Sequence, residues 1–372
     1  MMAAEREAEA PPEAPTTTKR GTRRWLVGVP LAWFIGAVLC TSFAGGLVAN
    51  GFLYRWMARA SHRVWWREGG QTEPFEHDRP RWLMSGATGW RGWLGGLTQN
   101  VSVGVSGAFQ SFMALIPSAA LWMFAWRYGW DNSFTKGYDL RWIGPTLGLL
   151  GTALFVGTMW LLPLAQARHA TTRSWRAFWD VGMLATLAKT RWIDAVPVAA
   201  AYALLGIPFT WMWMIPVFAP TNNDAFASMS PEELRGWLDG YYFVWAVLGF
   251  AATFWLKWLG ARWYARALLG AVRGGAITRR QLHPVEAAHF DAGGLLAVRD
   301  LSHRHPLVRA ADWTASTLGR ATVVVVASAL WGLVAFQLFV GLFFHYRPVV
   351  GWTNQPLILV PVFKYVPPGL RP

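Results

Sequence analysis

The feature that most constrains this chain is a set of apolar blocks, each about 20 residues long and without a formal charge. A helix of that length crosses a hydrocarbon layer about 30 Å thick. A soluble protein would instead alternate core-facing and solvent-facing residues along its elements. Hydrophobic residues make up 54% of the chain, and 26 tryptophans supply rings that favour the membrane–water interface. These features predict an all-α polytopic transmembrane bundle with amphipathic interfacial helices.

We predict about six membrane segments in a helical domain over residues 25–344. The segments lie near residues 25–53, 101–126, 142–164, 195–218, 241–259 and 321–344. Residues 1–24 are predicted to form a disordered tail, and the first apolar run is too long for a cleaved signal peptide. Residues 345–372 are too Pro-rich for a helix. They are expected to pack on the outer face of the bundle or to bind a partner.

The basic residues of the connecting loops predict the orientation of the bundle. Loops 54–100, 165–194 and 257–320 carry 22 Lys or Arg, whereas 127–141, 219–240 and 345–372 carry seven. Cytoplasmic loops collect positive charge, so the first three loops are placed in the cytoplasm. The pattern predicts a multi-pass membrane protein with these three loops in the cytoplasm.

The N-terminus conflicts with a single crossing by residues 25–53. Its basic residues favour the cytoplasm, yet the 54–100 loop is assigned to the same side. The alternative is a re-entrant helical hairpin, broken near Pro30, Gly36 or Gly45–Gly46. Such a hairpin is tolerated only where other helices cover its backbone. Both readings stay open from the sequence.

Two stretches have the pattern of surface helices. One has arginines spaced four apart, between apolar side chains, and predicts contacts with anionic lipid headgroups: Arg55, Arg59, Arg63 and Arg67. An ordinary cytoplasmic extension of the first segment explains it equally well. The other is an amphipathic pattern over 174–192, with Ser174 as its N-cap.

Two stretches resemble a family of bacterial multi-spanning membrane proteins known only as a domain of unknown function. The first is "GGLVANGFLYRWMARASHRVWWREGG…EPFEHDRPRWLMSG", and the second runs from Leu162 to Trp192. The resemblance covers about residues 25–210. It implies a polytopic, multi-pass protein of the bacterial cytoplasmic (inner) membrane and brings no activity, cofactor or catalytic residue.

In the interiors of the six segments, away from their ends, we find no Asp, Glu, Lys, Arg or His, which disfavours an ion-coupled pump. The most polar interior side chains are Gln110 and Gln337. We expect them to bridge helices, and lining a polar path is the alternative. Gly104 and Gly107 are small residues that allow two helices to approach closely.

Half of the eight histidines lie between His283 and Pro306. The metal candidates of this stretch are His283, Glu286, His289, His303 and His305. Their spacing matches no known ligand signature, so a solvated helix–turn–helix is the leading interpretation and no metal or other cofactor is assigned. No catalytic motif stands out. A single cysteine excludes an intrachain disulfide.

The sequence therefore predicts a non-enzymatic accessory or scaffold subunit of a membrane assembly. The alternatives are a channel or uniporter for a small or lipidic solute, and a membrane enzyme that acts on lipid-borne substrates. The expected partners are membrane lipids, including anionic headgroups, and other membrane subunits. The net charge of +14 is explained by cytoplasmic loops rather than by nucleic acid.

Overall fold

The computed structural model describes residues 20–70, 90–135, 142–222, 224–296, 306–343 and 353–364. The predicted tail up to residue 19 lies outside these ranges, as do His303 and His305. Within them the chain is all-helical and contains no strand, which confirms the predicted fold class. The helices are α1 (Arg20–Leu39), α2 (Phe43–Glu68), α3 (Trp90–Thr135), α4 (Ile143–Thr172), α5 (Trp175–Phe178), α6 (Val181–Thr190), α7 (Ala195–Asn222), α8 (Asp224–Ala227), α9 (Pro231–Arg273), α10 (Pro284–Ala292) and α11 (Pro306–Phe343).

Five of the described helices are long and apolar enough to cross a membrane. Their apolar spans are Leu94–Tyr128, Ile143–Thr172, Trp192–Phe218, Pro231–Arg273 and Thr317–Gly341. By helix length and hydropathy, the chain is a multi-pass membrane protein. Helix α9 has 43 residues, a length of about 65 Å, so it also extends well beyond a hydrocarbon layer.

The first apolar segment is a helical hairpin rather than one crossing. Helix α1 ends at Leu39, and α2 begins at Phe43 after a turn that Ser42 caps by accepting a hydrogen bond from the Gly45 amide, 3.1 Å away. Both arms lie on α9, because Trp33 of α1 and Phe52 of α2 contact the same ring, Phe250. The two ends of the hairpin therefore lie at one end of the bundle, and the conflict in basic residues disappears.

Helix α2 runs parallel to α9. The Ser61 hydroxyl donates to the Ala261 carbonyl at 3.3 Å, and the Trp65 indole donates to the Ala265 carbonyl at 3.0 Å. We call the end of the bundle at which α2, α4 and α9 finish the basic end. An ion pair between Glu68 and Arg273 lies there, and α10 packs beside it.

Helices α2 and α3 cross with their backbones in contact. A Cβ atom on Gly51 would lie 1.8 Å from the Asn100 carbonyl oxygen, and one on Gly104 would lie 1.9 Å from the Leu47 carbonyl oxygen. A Cβ on Gly107 would overlap the ring of Tyr54. The predicted close approach at Gly104 and Gly107 is therefore present, and α2 is the helix that approaches.

The amphipathic stretch 174–192 is divided into two short helices. Ser174 caps α5 by accepting a hydrogen bond from the Ala177 amide, and Asp180 caps α6 by accepting from the Met183 amide at 3.1 Å. The expectation of one continuous helix is wrong, because the Asp180 cap starts a second helix. Phe178 and Leu187 of the predicted apolar face are buried, whereas Trp175 and Trp179 are exposed.

We predict that Gly51→Ala destabilises the protein by about 1–3 kcal/mol, because the added methyl must push α2 and α3 apart. The measurement is the temperature at which half of the detergent-solubilised protein leaves the monodisperse chromatographic peak. Gly157→Ala is the matched control, since nothing lies within 4 Å of a Cβ at that position. Equal temperatures for the two variants would contradict the tight crossing.

Candidate functional site

An amino group lies buried at the centre of the bundle. Lys257 of α9 is 2% exposed, and its Nζ atom donates to the Gln166 side-chain oxygen at 2.6 Å and to the Ile358 carbonyl at 3.1 Å. Its Nζ also lies 5.1 Å from the centre of the Tyr54 ring. The sequence analysis counted Lys257 with the 257–320 loop, and that placement is wrong. The residue is internal because α9 continues to Arg273 and is covered along that length.

The segment that contacts Lys257 is the C-terminal plug, which we define as residues 353–364. The prediction placed it on the outer face of the bundle, but it enters the bundle and its core side chains are 2–4% exposed: Ile358, Leu359, Val360 and Phe363. Lys364 pairs with Asp239, near the start of α9, at 2.9 Å. Asp239 and Lys257 lie about 27 Å apart along α9, so the plug descends deep into the bundle.

The plug satisfies much of its backbone internally. The Gln355 carbonyl accepts from the amides of Ile358 and Leu359 at 2.9 and 2.8 Å. The Asn354 side chain bonds to both the amide and the carbonyl of Val360, at 3.0 and 3.1 Å. This is the folded form that a non-helical segment needs at membrane depth, where no water replaces a missing hydrogen bond.

Polar side chains from three helices form one network around Lys257. Gln166 of α4 donates from its amide nitrogen to the Ser111 hydroxyl of α3 at 2.9 Å and to the Ile358 carbonyl at 3.1 Å. The Tyr54 hydroxyl of α2 lies 3.1 Å from the Ser111 hydroxyl. All of these side chains are buried, so the network and the plug together form a closed polar centre.

A second buried layer lies closer to the basic end. Arg168 of α4 donates to Glu286 of α10 at 2.9 Å and to Asp180 at 2.9 Å. The Tyr264 hydroxyl donates to the same Glu286 oxygen at 2.5 Å. Arg168 and Glu286 are almost fully buried, so this layer fastens α10 across the end of the bundle.

The described part of the His-rich stretch has structural contacts. Glu286 accepts from the His283 amide at 2.8 Å and forms a capping box for α10, and the His289 ring lies 3.9 Å from the His62 ring. In the described ranges no group of three His, Cys, Asp or Glu is arranged to hold a metal ion. At the exposed end of α10, hydrogen bonds from Arg279 lower the pKa of Asp291.

The two glutamines of the membrane segments lie apart and do not line one path. The Gln110 carbonyl oxygen accepts from the Trp179 indole at 2.5 Å, which joins α3 to the α5–α6 region. Gln337 donates to the Ala203 carbonyl at 2.9 Å and so joins α11 to α7. Its own carbonyl oxygen has no hydrogen-bond partner in the described structure. Gln337 also lines a cavity of about 60 Å³ beside the plug.

The four arginines of the predicted lipid-contact helix differ in their surroundings. Arg55 donates to the Asn100 side chain at 3.0 Å, and Arg59 lies over the Trp56 ring. Arg63 and Arg67 are exposed near the basic end. The helix that carries them is a packed member of the bundle, because its other faces contact α3 and α9.

The chain was compared with protein-family models, curated proteins and solved structures. None of them matches. The resemblance to a family of multi-spanning membrane proteins over residues 25–210 therefore stays an expectation. The candidate site rests on the geometry of this chain alone.

The centre of this site was not predicted from the sequence. Lys257, Gln166 and Tyr54 lie on three different helices, and Ile358 comes from a segment without regular structure. One signal was available. Lys257 is one of five lysines in the chain, and it follows an apolar run and directly precedes two more apolar residues, Trp258 and Leu259.

We predict that Arg168→Leu lowers the free energy of unfolding by about 3–5 kcal/mol, because it leaves the Glu286 carboxylate buried without its cation. The effect is measured by the half-loss temperature, the temperature at which half of the detergent-solubilised protein leaves the monodisperse chromatographic peak. Arg273→Gln is the control, since its pair with Glu68 is more than a third exposed and contributes about 0–1 kcal/mol. If the Arg168 variant were as stable as this control, the layer would not hold α10 in place.

Proposed function

We propose that the chain is a carrier for a small solute in the bacterial cytoplasmic membrane. The C-terminal plug is its gate at the end of the bundle opposite the basic end. One observation carries the proposal. A segment of the chain itself, without helical structure, fills the polar centre of the bundle and contacts Lys257. Non-helical backbone at membrane depth is tolerated where protein covers it or where it lines a cavity, and carriers use such segments at their binding sites.

The second irregular element of the bundle supports this proposal. The hairpin tip enters from the basic end and the plug enters from the opposite end. They meet where the Phe363 amide donates to the Cys40 carbonyl at 2.9 Å. Two re-entrant elements that meet between spanning helices create a region that can open without breaking a spanning helix.

Lys257 lies between two closures. The plug covers it on one side, and the Arg168–Glu286 layer with α10 covers the other. An arrangement with one closure on each side of a central site is what alternating access requires. The carrier form of the channel-or-uniporter hypothesis therefore fits better than an open channel.

The plugged form is the resting state in this proposal. The plug buries four large apolar side chains, and each contributes roughly 1.5–3 kcal/mol relative to exposure. Cavities flank it, one of about 60 Å³ and one of about 10 Å³, and Gln355 lines both. The gate is thus held by apolar packing, and the larger of the two cavities lies beside it.

A lockable gate tests the proposal. In Phe363→Cys, the loss of the ring that fills the space at Gly249 loosens the plug. The backbone hydrogen bond between residue 363 and Cys40 brings their Cα atoms close to the separation that a disulfide spans. We expect solute uptake into proteoliposomes to rise in the reduced variant, above wild type, and to fall to the protein-free rate after oxidation.

The uptake assay uses three probes of different charge: glycerol, pyruvate and methylammonium. The control variant combines Phe363→Cys with Cys40→Ser, so that the plug is loosened but no disulfide forms. We expect its uptake rate to be the same before and after oxidation. Protein-free rates for all three probes in the reduced variant would overturn the carrier proposal.

An accessory role in a membrane assembly is the second candidate, and exposed apolar side chains outside the spans favour it. Trp175 is 59% exposed and Val181 is 55% exposed, both on the short helices between α4 and α7. A partner or the lipid surface would cover them, and Arg63 and Arg67 would contact anionic headgroups. A native-membrane pull-down would detect a stoichiometric partner that Trp175→Ser with Val181→Ser releases. The lipid-enzyme alternative gains no support from the described part of the His-rich stretch.

A further inference from the structure

Two buried donors converge on one oxygen atom at the deepest point of the plug. The Lys257 amino group and the Gln166 side-chain amide both donate to the Ile358 carbonyl, each at 3.1 Å. They come from α9 and α4, and their exposed fractions are 2% and 1%. A pair of donors fixed by two spanning helices is a preformed cradle for an acceptor oxygen.

The plug carbonyl is an incomplete match for this cradle. It offers a partial negative charge to an amino group that forms no ion pair with any carboxylate in the described ranges. A desolvated cation without a counterion is costly, and an anion in the cradle would stabilise the ammonium form. A carboxylate or phosphate oxygen would accept the same two hydrogen bonds and supply the missing charge.

We propose that Lys257 and Gln166 form a binding site for an oxyanion, whose place the Ile358 carbonyl takes while the plug is closed. This rests on the proposed function, because the anion enters only when the plug withdraws. The hydroxyl of Ser111 accepts from the same Gln166 amide at 2.9 Å and so lies beside this donor pair. The ligand class is a carboxylate or a phosphate, either as a free solute or as a lipid headgroup.

The surroundings favour an anion with one negative charge and a small apolar body. Lys257 is the cation of this cradle. The walls of the cavity beside Ile358 are mostly apolar or aromatic and include Tyr202, Phe209 and Val334. A multiply charged anion would leave charge against these walls without a partner. Pyruvate has the right character as a probe, and inorganic phosphate is the second probe.

The transport test uses the reduced Phe363→Cys protein in proteoliposomes. We expect pyruvate uptake to exceed that of methylammonium, and Lys257→Met added to this protein to lower it at least about tenfold, while glycerol uptake is retained. Met matches the length of Lys and removes a buried charge, so the variant should fold. The same loss with Gln166→Leu would place both donors in the site. Pyruvate uptake that Lys257→Met leaves unchanged would overturn the inference.

A second variant separates the gate from the anion site. Asp239→Asn removes the ion pair that holds Lys364 at the far end of the plug and leaves the cradle intact. It should raise uptake of pyruvate and glycerol alike by a few-fold. An increase confined to pyruvate would contradict the division of roles between gate and cradle.

A binding measurement keeps this inference distinct from the carrier proposal. In detergent, pyruvate or phosphate should raise the half-loss temperature of reduced Phe363→Cys, but not that of the oxidised protein or of the variant that also carries Lys257→Met. If binding is seen without uptake, the anion site stands and the carrier proposal falls. If neither anion binds the reduced protein, the anion site falls even where glycerol passes.

Phosphatidylglycerol vesicles distinguish the two sources of the anion. If phosphatidylglycerol abolishes the pyruvate-dependent stabilisation, and itself raises the half-loss temperature of the reduced protein but not of its Lys257→Met form, the ligand of the site is a lipid phosphate. If the pyruvate-dependent stabilisation is the same with phosphatidylglycerol vesicles, with phosphatidylcholine vesicles and without vesicles, the ligand is a soluble anion. Stabilisation by phosphatidylglycerol that persists in Lys257→Met would place the lipid elsewhere and overturn the assignment of the cradle to a lipid.

Discussion

Backbone groups at membrane depth must form their hydrogen bonds inside the protein. In this chain the requirement applies above all to two segments that are not helical. The hairpin turn at residues 40–42 interrupts one helix pair, and the plug runs without helix through the centre of the bundle. Each helps to satisfy the other through the bond between the Phe363 amide and the Cys40 carbonyl. The spanning helices are arranged around these two elements and cover them.

Buried polar side chains must likewise find hydrogen-bond partners inside the protein. Lys257, Gln166 and Ser111 satisfy one another and the plug, whereas Arg168, Glu286 and Tyr264 satisfy one another and fix α10. The two layers differ in charge balance. The layer near the basic end pairs a guanidinium with carboxylates, and the central layer has an amino group with neutral acceptors. The central layer is therefore the one that an incoming anion would complete.

Local pattern was sufficient for the class of fold and for five apolar helices, because hydropathy depends on neighbours in the sequence. It was insufficient for the hairpin. The turn falls at Cys40–Ser42, away from Pro30, Gly36 and the Gly45–Gly46 pair at which a break was expected. A serine cap and the close approach of Gly45 to the Leu39 carbonyl make the turn there, and neither signal is strong in a sequence.

The site was hidden for a related reason. Lys257 stands at the end of an apolar window, so a count of loop charges takes it for a boundary residue. Its partners are 91 and 101 residues away, at Gln166 and Ile358. The plug has no periodicity, and its position is determined only by the cavity that receives it. Capping was more local, and the Ser174 cap was correctly placed for that reason.

The contact of Gly51 with α3 also limits how the molecule can move. Two backbones in contact cannot slide past each other without losing the fit on both sides, so α2 and α3 behave as one body. Helix α4 joins that body through Ser111 and Gln166. On the other side of the plug, α7 and α11 border a cavity where the Gln337 carbonyl oxygen has no described partner. The plug therefore lies between the closely joined helices α2, α3 and α4 and the cavity that α7 and α11 border.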